Sequence, residues 1–335
     1  MAPSTFDIGD WRALITPPEA ARLAHRARTA PLYAHAYAFH LNLRFGAMTP
    51  PDLLDFAAAH HLKGVKIHVE DGESLSLRNP DTRAPFAARA RALGLDLHVE
   101  TSSTSAADLA EAVTIAHDIG ATSVRFYPRH VGPLSQVLAR TVADLAILPS
   151  LDPDNRLRFT LEQHEDLKSP ELLAILRQTA HPRLSLLFDF GNMINAWETP
   201  MQALEIQAPH ITEVHVKDAL ALPDRGGWAH RACLSDTGHL PMRAMLIRLL
   251  LLGQNHPQVT AFALEEEEDY LAPAFRFPDE GPDPVIPARG PSETDPGPGP
   301  LADRLAREAA AAQRQVQTVR AMLDDIARAA DLVKG

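Results

Sequence analysis

Four runs between residues 157 and 269 decide how the rest of the chain is read: LRFTLEQHED (157–166), LSLLFDFGN (184–192), ITEVHVKD (211–218) and VTAFALEEEED (259–269). Successive side chains of a β-strand point to opposite faces. Phe159 and Leu161 therefore share one face of the first run, and Arg158, Thr160 and Glu162 share the other. The same count sets Leu186 and Phe188 opposite Asp189, Thr212 and Val214 opposite His215, and Phe262 and Leu264 opposite Glu265. Four strands thus deliver Glu162, Asp189, His215 and Glu265 to one side.

Working outward, the upstream chain repeats the pattern. Strand-like YAHAYAFHLNL (33–43), GVKIHVE (64–70), LDLHVE (95–100) and ATSVRFYP (121–128) alternate with helical PPDLLDFAAAHH (50–61), APFAARARALG (84–94), SAADLAEAVTIAHDIG (105–120) and LSQVLARTVADLAIL (134–148). Downstream, PELLAILRQTA, PMQALEIQA and PMRAMLIRLLLL separate the four runs quoted first. Eight strands alternating with helices predict a (β/α)8 TIM barrel, although a doubly wound sheet shares the alternation. The faces decide between them. Val65, Ile67 and Val69 alternate with Lys66, His68 and Glu70, and Leu95, Leu97 and Val99 with Asp96, His98 and Glu100. An open sheet covered by helices on both sides reads apolar on both faces, whereas these strands have one polar face each. A barrel with a polar lumen accounts for that, and Arg125, between Val124 and Phe126, joins the lumen from the fourth strand.

The 335 residues read as one barrel domain with additions at both ends. Residues 1–30 form an N-terminal extension holding the helix PPEAARLAHRAR. Residues 271–299 are dense in Pro and Gly and interrupt the periodicity as an excursion from the eighth strand-to-helix loop, placed to act as a lid, an arm to another subunit, or a linker. Residues 300–335 supply an Ala-rich closing helix. The net charge of −11 argues against a nucleic-acid or anionic-membrane partner, and small solutes are expected instead. Cys233 stands alone, so no disulfide framework and no cysteine-based zinc site is available. The opening MAPSTFDIGDW lacks a basic stretch followed by an apolar one, and no run approaches the roughly 20 apolar residues of a membrane span. These readings point to the cytoplasm. Oligomeric state is left open, a homo-oligomer being compatible with the sequence.

The C-terminal strand ends of a barrel build its active site. Three carboxylates and an imidazole there form a hard oxygen and nitrogen donor set suited to one divalent ion, Mn, Mg, Co or Zn. Such an ion chelating a carbonyl and a neighbouring hydroxyl stabilises an enediolate, while a carboxylate nearby removes the α-proton. Isomerases and epimerases need those parts. Substrate contacts are expected from Arg125, Lys217, which shares the face of His215, His68 and Glu100. Arg225, in DRGGWAHR after the seventh strand, lies where many barrels hold phosphate and would select a phosphorylated or carboxylated substrate.

FTLEQHED, LLFDFGN, EVHVKD and FALEEEED, in that order, resemble the strand-end motifs of the xylose isomerase-like TIM barrel superfamily, the sugar isomerase/epimerase group also called AP endonuclease family 2. The resemblance covers about residues 31–270 and the last helix. It implies that Glu162, Asp189, His215 and Glu265 bind one divalent metal, and that Glu162 and Glu265 transfer protons on opposite faces of the substrate. Ketose 3-epimerases of this group have a His three residues after the Asp, where this chain has Asn192, and their sugar-contacting Arg after the metal His is not at the matching place. 3-Dehydroshikimate dehydratases tend to have Gln where His215 stands. The expected function is a metal-dependent isomerase or epimerase of a sugar or polyol-derived ketone. The alternative is a dehydratase or decarboxylase of a keto sugar acid, ahead of a DNA-repair nuclease or a non-catalytic barrel.

Overall fold

A computed structural model of the chain describes residues 11–288 and 299–333. Eight parallel strands close into a barrel: β1 (Leu32–His35), β2 (Gly64–His68), β3 (Asp96–Glu100), β4 (Ser123–Phe126), β5 (Arg158–Glu162), β6 (Leu184–Asp189), β7 (Ile211–Val216) and β8 (Ala261–Leu264). Each pairs with its chain neighbours, and β8 returns to β1 through Leu32↔Phe262, Tyr33↔Ala263 and Ala34↔Leu264. The expected (β/α)8 TIM barrel is the observed fold.

Local signals set the helix ends. Thr16 caps the helix Pro17–Arg28 with Glu19 answering in a reciprocal box, and Gly94 and Gly120 end their helices in the left-handed conformation at φ 68° and 74°. Gly64 serves a close approach instead, because a Cβ there would lie 2.2 Å from the Asp96 carbonyl oxygen. Val65, Ile67, Val99, Val124, Phe159, Leu161, Leu186, Phe188, Val214 and Phe262 are buried between the strands and the surrounding helices. The opposite faces fill the lumen with polar groups, as the alternation predicts.

One strand is shorter than its sequence suggests. The run 33–43 stays extended only to His35, then turns through a 3-10 segment, Ala36–Phe39, into the short helix His40–Arg44. His35 causes the break by accepting the Tyr37 N–H on its own Nδ1 at 3.0 Å. Glu308, far along in the closing helix, accepts the N–H groups of Leu41 and Asn42, both at 2.8 Å. That second contact is tertiary and leaves no mark in the local pattern.

The closing helix, Leu301–Asp331, runs 31 residues, roughly 46 Å at 1.5 Å per residue. It packs against the N-terminal helix Pro17–Arg28, whose buried Arg26 donates to the carbonyls of Leu250, Leu252 and Gly253. Among the described residues one segment, Leu134–Leu151, is long and apolar enough to be a candidate membrane span; it is broken between Leu145 and Leu148 and lies between β4 and β5.

After β7 the chain forms a hairpin, Asp218–Asp224 with Gly227–Cys233, and Leu271–Ala272 adds a third strand to it. The Pro-rich excursion therefore starts as ordered structure. Asn195 accepts the N–H groups of Phe275 and Arg276 on its carbonyl oxygen and donates its side-chain amide to the Ala272 and Pro273 carbonyls. Arg276, 2% exposed, donates to Glu171, Glu280 and the Asp166 carbonyl. Val285–Ile286 then pairs with Gly132–Pro133 beyond β4. Residues 271–288 are thus strapped along the rim formed by the C-terminal strand ends, past the loops after β7, β5 and β4. Residues 289–298 of the excursion lie outside the described residues.

Candidate metal centre and active site

Register brings the site together. β6 and β7 pair with an irregularity at Leu186/Leu187, beyond which Asp189 stands directly across from His215. β8 follows with Ala263 opposite His215, so Glu265 emerges two residues further along the same face. Around His215 Nδ1 lie Glu265 Oε2 at 3.2 Å, Glu162 Oε1 at 3.3 Å and Asp189 Oδ2 at 3.9 Å. All four side chains are buried.

Their electrostatics describe an incomplete charge balance. Asp189 Oδ2, His215 Nδ1 and Glu265 Oε2 are buried without a hydrogen-bond partner. Burial pushes the Asp189 carboxyl up to about 7, with Glu265 and Glu162 adding to the rise and Lys217 opposing it. Burial opposes ionisation of Glu162 too, but Arg125 and His215 hold it below the usual carboxylate range. For His215 burial works against the charged imidazole and is outweighed by Glu265, Glu100 and Glu162, which raise it well above its ordinary value. Carboxylate oxygens and a nitrogen that converge on one point without hydrogen bonds of their own make a donor set that a divalent cation fits. Glu162, Asp189 and His215 already place one ligand atom each within 4.8 Å of one another.

Neighbouring groups orient these four. Glu100 Oε1 accepts from His215 Nε2 at 3.1 Å, and its Oε2 accepts from His35 Nε2 at 2.8 Å. Arg125 bridges Glu100 Oε2 (2.7 Å) and Glu162 Oε2 (2.9 Å). Asp189 Oδ1 accepts the N–H groups of Gly191 (2.7 Å) and Asn192 (2.8 Å), leaving Oδ2 toward the centre. The Asn192 amide donates to Glu162 Oε1 at 3.3 Å and to the Gln163 carbonyl at 3.1 Å. Asn192, three residues after Asp189, therefore steers the Glu162 carboxylate. Lys217 Nζ sits 3.1 Å from Asp189 Oδ2, 3.6 Å from Glu265 Oε2 and 3.3 Å from Glu267 Oε2.

A cavity of about 550 Å³ opens above this centre, lined among others by Tyr37, His68, Arg125, Tyr127, Arg129, Glu162, Lys217, Glu265, Glu267 and Tyr270, with Leu271, Ala272, Pro273, Phe275 and Pro287 of the strap. Of the expected substrate contacts, Arg125, Lys217 and His68 line it. Glu100 does not: it lies underneath, against His215 and His35, because the lumen face of β3 at that level is covered by Arg125. Arg225 is also elsewhere. It projects from the exposed hairpin tip and pairs with Asp224 and the Ala274 carbonyl, since the loop read as a phosphate site is the turn of an antiparallel hairpin.

Three features escaped the sequence reading. His35 was hidden inside a run read as one long strand. Tyr127 and Arg129 lie past the end of β4, where alternation no longer reports direction. Glu213, two residues before His215 on the same face, forms the barrel floor: its carboxylate takes Lys66 Nζ at 2.6 Å and the Ser123 hydroxyl at 2.5 Å. The period-2 pattern marked Glu213 as lumen-facing and could have found it.

Comparison with known proteins agrees with this fold. Residues 54–260 match the family model described as xylose isomerase-like TIM barrel. The chain belongs to that family. It is 50% identical over 321 residues to the uncharacterized protein YihM of Escherichia coli (strain K12), covering 95% of this chain and 98% of that one. It is 26% identical over 162 residues to 3-oxo-isoapionate decarboxylase of Pectobacterium atrosepticum, covering 47% of this chain and 58% of that one. The solved structure of L-ribulose 3-epimerase superposes with a TM-score of 0.59 at 14% identity over 91% of this chain and 98% of that one, a likeness of fold.

Proposed function

We propose that this family member is a divalent-metal-dependent isomerase or epimerase acting on a sugar or polyol-derived ketone by moving a proton next to a carbonyl. The observation that carries the reading is the bracketing of His215 Nδ1 by Glu265 Oε2 at 3.2 Å and Glu162 Oε1 at 3.3 Å, two carboxylates reaching one point from β8 and β5 beneath a single cavity. Glu162, Asp189, His215 and Glu265 would hold one ion, which when bound polarises a substrate carbonyl and stabilises the negative charge that develops on it.

The chain's own groups supply the rest. Either Glu162 or Glu265 removes the proton from the carbon beside the carbonyl, and the other returns one from the opposite face. Arg125 keeps Glu162 ionised and therefore able to accept a proton. Lys217 and His68 donate to substrate oxygens, and the Tyr37 and Tyr270 rings border the cavity. Leu271, Ala272, Pro273 and Phe275 of the strap restrict access of bulk water to the reacting carbon.

A second reading, a decarboxylase or dehydratase of a keto sugar acid, is supported by the identity to 3-oxo-isoapionate decarboxylase and by Asn192 standing where ketose 3-epimerases carry a His. Incubation of the Mn-loaded protein with a panel of ketoses and keto acids in deuterated water tests both. Deuterium incorporation with the carbon skeleton intact supports the isomerase. Release of carbon dioxide or water supports the lyase, and no exchange with any member of the panel removes the proton-transfer reading.

A further inference from the structure

Inside the cavity, the other fixed cations are already matched. Arg125 lies between Glu100 and Glu162, and Lys217 among Asp189, Glu265 and Glu267. Arg129 is different. It lines the same cavity on the loop after β4, and among the described residues no carboxylate forms an ion pair with it.

Its guanidinium is nevertheless held in place. Nε donates to the Ser102 carbonyl at 3.2 Å, Nη2 donates to the Tyr127 hydroxyl at 2.7 Å, and the group lies over the Tyr127 ring at 4.6 Å from its centre. A surface arginine normally trails into solvent and loses that freedom only when something holds it. Here one side of the planar fork is anchored to protein while Nη1 keeps donors that no described residue takes. A fixed, charged, unpaired guanidinium facing a cavity matches the paired oxygens of a carboxylate or phosphate group.

The geometry points to a substrate that carries an oxyanion, carboxylate or phosphate, at the end remote from the reacting carbons, bound by Arg129 at the cavity rim while the carbonyl end lies over Glu162 and Glu265. This inference rests on reading the cavity as the substrate site of the proposed function. It moves the anion selection expected at Arg225 to the loop after β4. Tyr127 acts with Arg129 by stacking beneath it and orienting the fork.

Calorimetric titration of the Mg-loaded protein with three open-chain ligands that have no carbonyl tests this without any turnover: D-glucitol, D-gluconate and D-glucitol 6-phosphate. At least one anion should bind about 10-fold or more tightly than glucitol, the usual gain from a charge-assisted bidentate contact. Which one does so separates the carboxylate from the phosphate source. In Arg129→Met the ratio should fall toward one, whereas Arg129→Lys should keep part of it as a point charge. Equal binding of all three ligands, failure of both anions to bind, or a preference that survives in Arg129→Met overturns the inference, the last by assigning the anion to the metal. If the anion preference holds and the deuterium experiment fails, the rim site stands and the proton-transfer reading falls.

Discussion

Glu100 Oε1 accepts a hydrogen bond from His215 Nε2 at 3.1 Å, on the side of the imidazole away from Glu162, Asp189 and Glu265. A carboxylate in that position holds a proton on Nε2, so that when the imidazole gives up its other proton the Nδ1 lone pair faces the carboxylate oxygens. Glu100→Ala should therefore weaken divalent-metal affinity by about 10- to 100-fold while the barrel stays folded. Competition against a fluorescent chelator measures it, with circular dichroism as the folding control. Unchanged affinity would mean that the ring is oriented by packing alone.

The donor set itself is tested by Asp189→Ala and His215→Ala. Each removes one donor from a centre whose remaining carboxylates repel one another, so metal recovered after gel filtration should drop from about one ion per chain to a small fraction of that. Elemental analysis of the eluted protein is the readout. Full retention by both variants would place the ion elsewhere.

Proton transfer is tested at Glu162 and Glu265 by Gln, which keeps shape and loses basicity. Each change should lower the turnover found in the deuterium experiment by about 100-fold or more. Metal content must be measured alongside, since both side chains also belong to the donor set. A metal-loaded Glu162→Gln protein of normal rate would exclude its role as base.

At the barrel floor, Lys66 Nζ lies 2.6 Å from Glu213 Oε2, and both side chains are fully buried. Removing one partner leaves an unmatched charge in the lumen, so Lys66→Met should cost about 3–5 kcal/mol of unfolding free energy. Replacing both, Lys66→Met with Glu213→Leu, should recover much of that loss. Urea denaturation of both single variants and the double variant checks the pair, and additive losses would show that the two residues are not coupled.

Arg276 fastens the strap by donating to Glu171 at 2.7 and 2.8 Å and to the Asp166 carbonyl at 3.0 Å. Arg276→Ala should expose residues 271–288 to limited proteolysis and raise KM several-fold, with a smaller effect on kcat, because the cavity loses part of its wall. Mass spectrometry of the cleavage sites reports on the strap directly. A proteolysis pattern identical to that of the unaltered protein would show that Asn195 and the strand pairings hold it without Arg276.

Much of this architecture is legible in the chain. Alternation in β2, β3, β5 and β7 is a local property of extended backbone, so Lys66, Glu100, Glu162 and His215 could be sent to the lumen by counting, and the helices followed as the helical runs between them. Glu162, Asp189, His215 and Glu265 were gathered as one site for the same reason, each standing at the end of a strand in a barrel whose strand ends share a rim.

Tertiary structure decided what counting along one strand cannot. Whether a lumen residue touches a ligand or supports one depends on its height in the barrel and on what stands above it: Arg125 covers Glu100 and leaves it under His215, although both residues read alike along their strands. Arg129 and Arg225 both follow strand ends in the sequence, yet a stack on Tyr127 keeps the first at the cavity, and the antiparallel pairing of 218–224 with 227–233 carries the second out to the hairpin tip. Local spacing determines the face a side chain takes. Its neighbours across the barrel, distant in the chain and paired through buried charge, determine what it can do there.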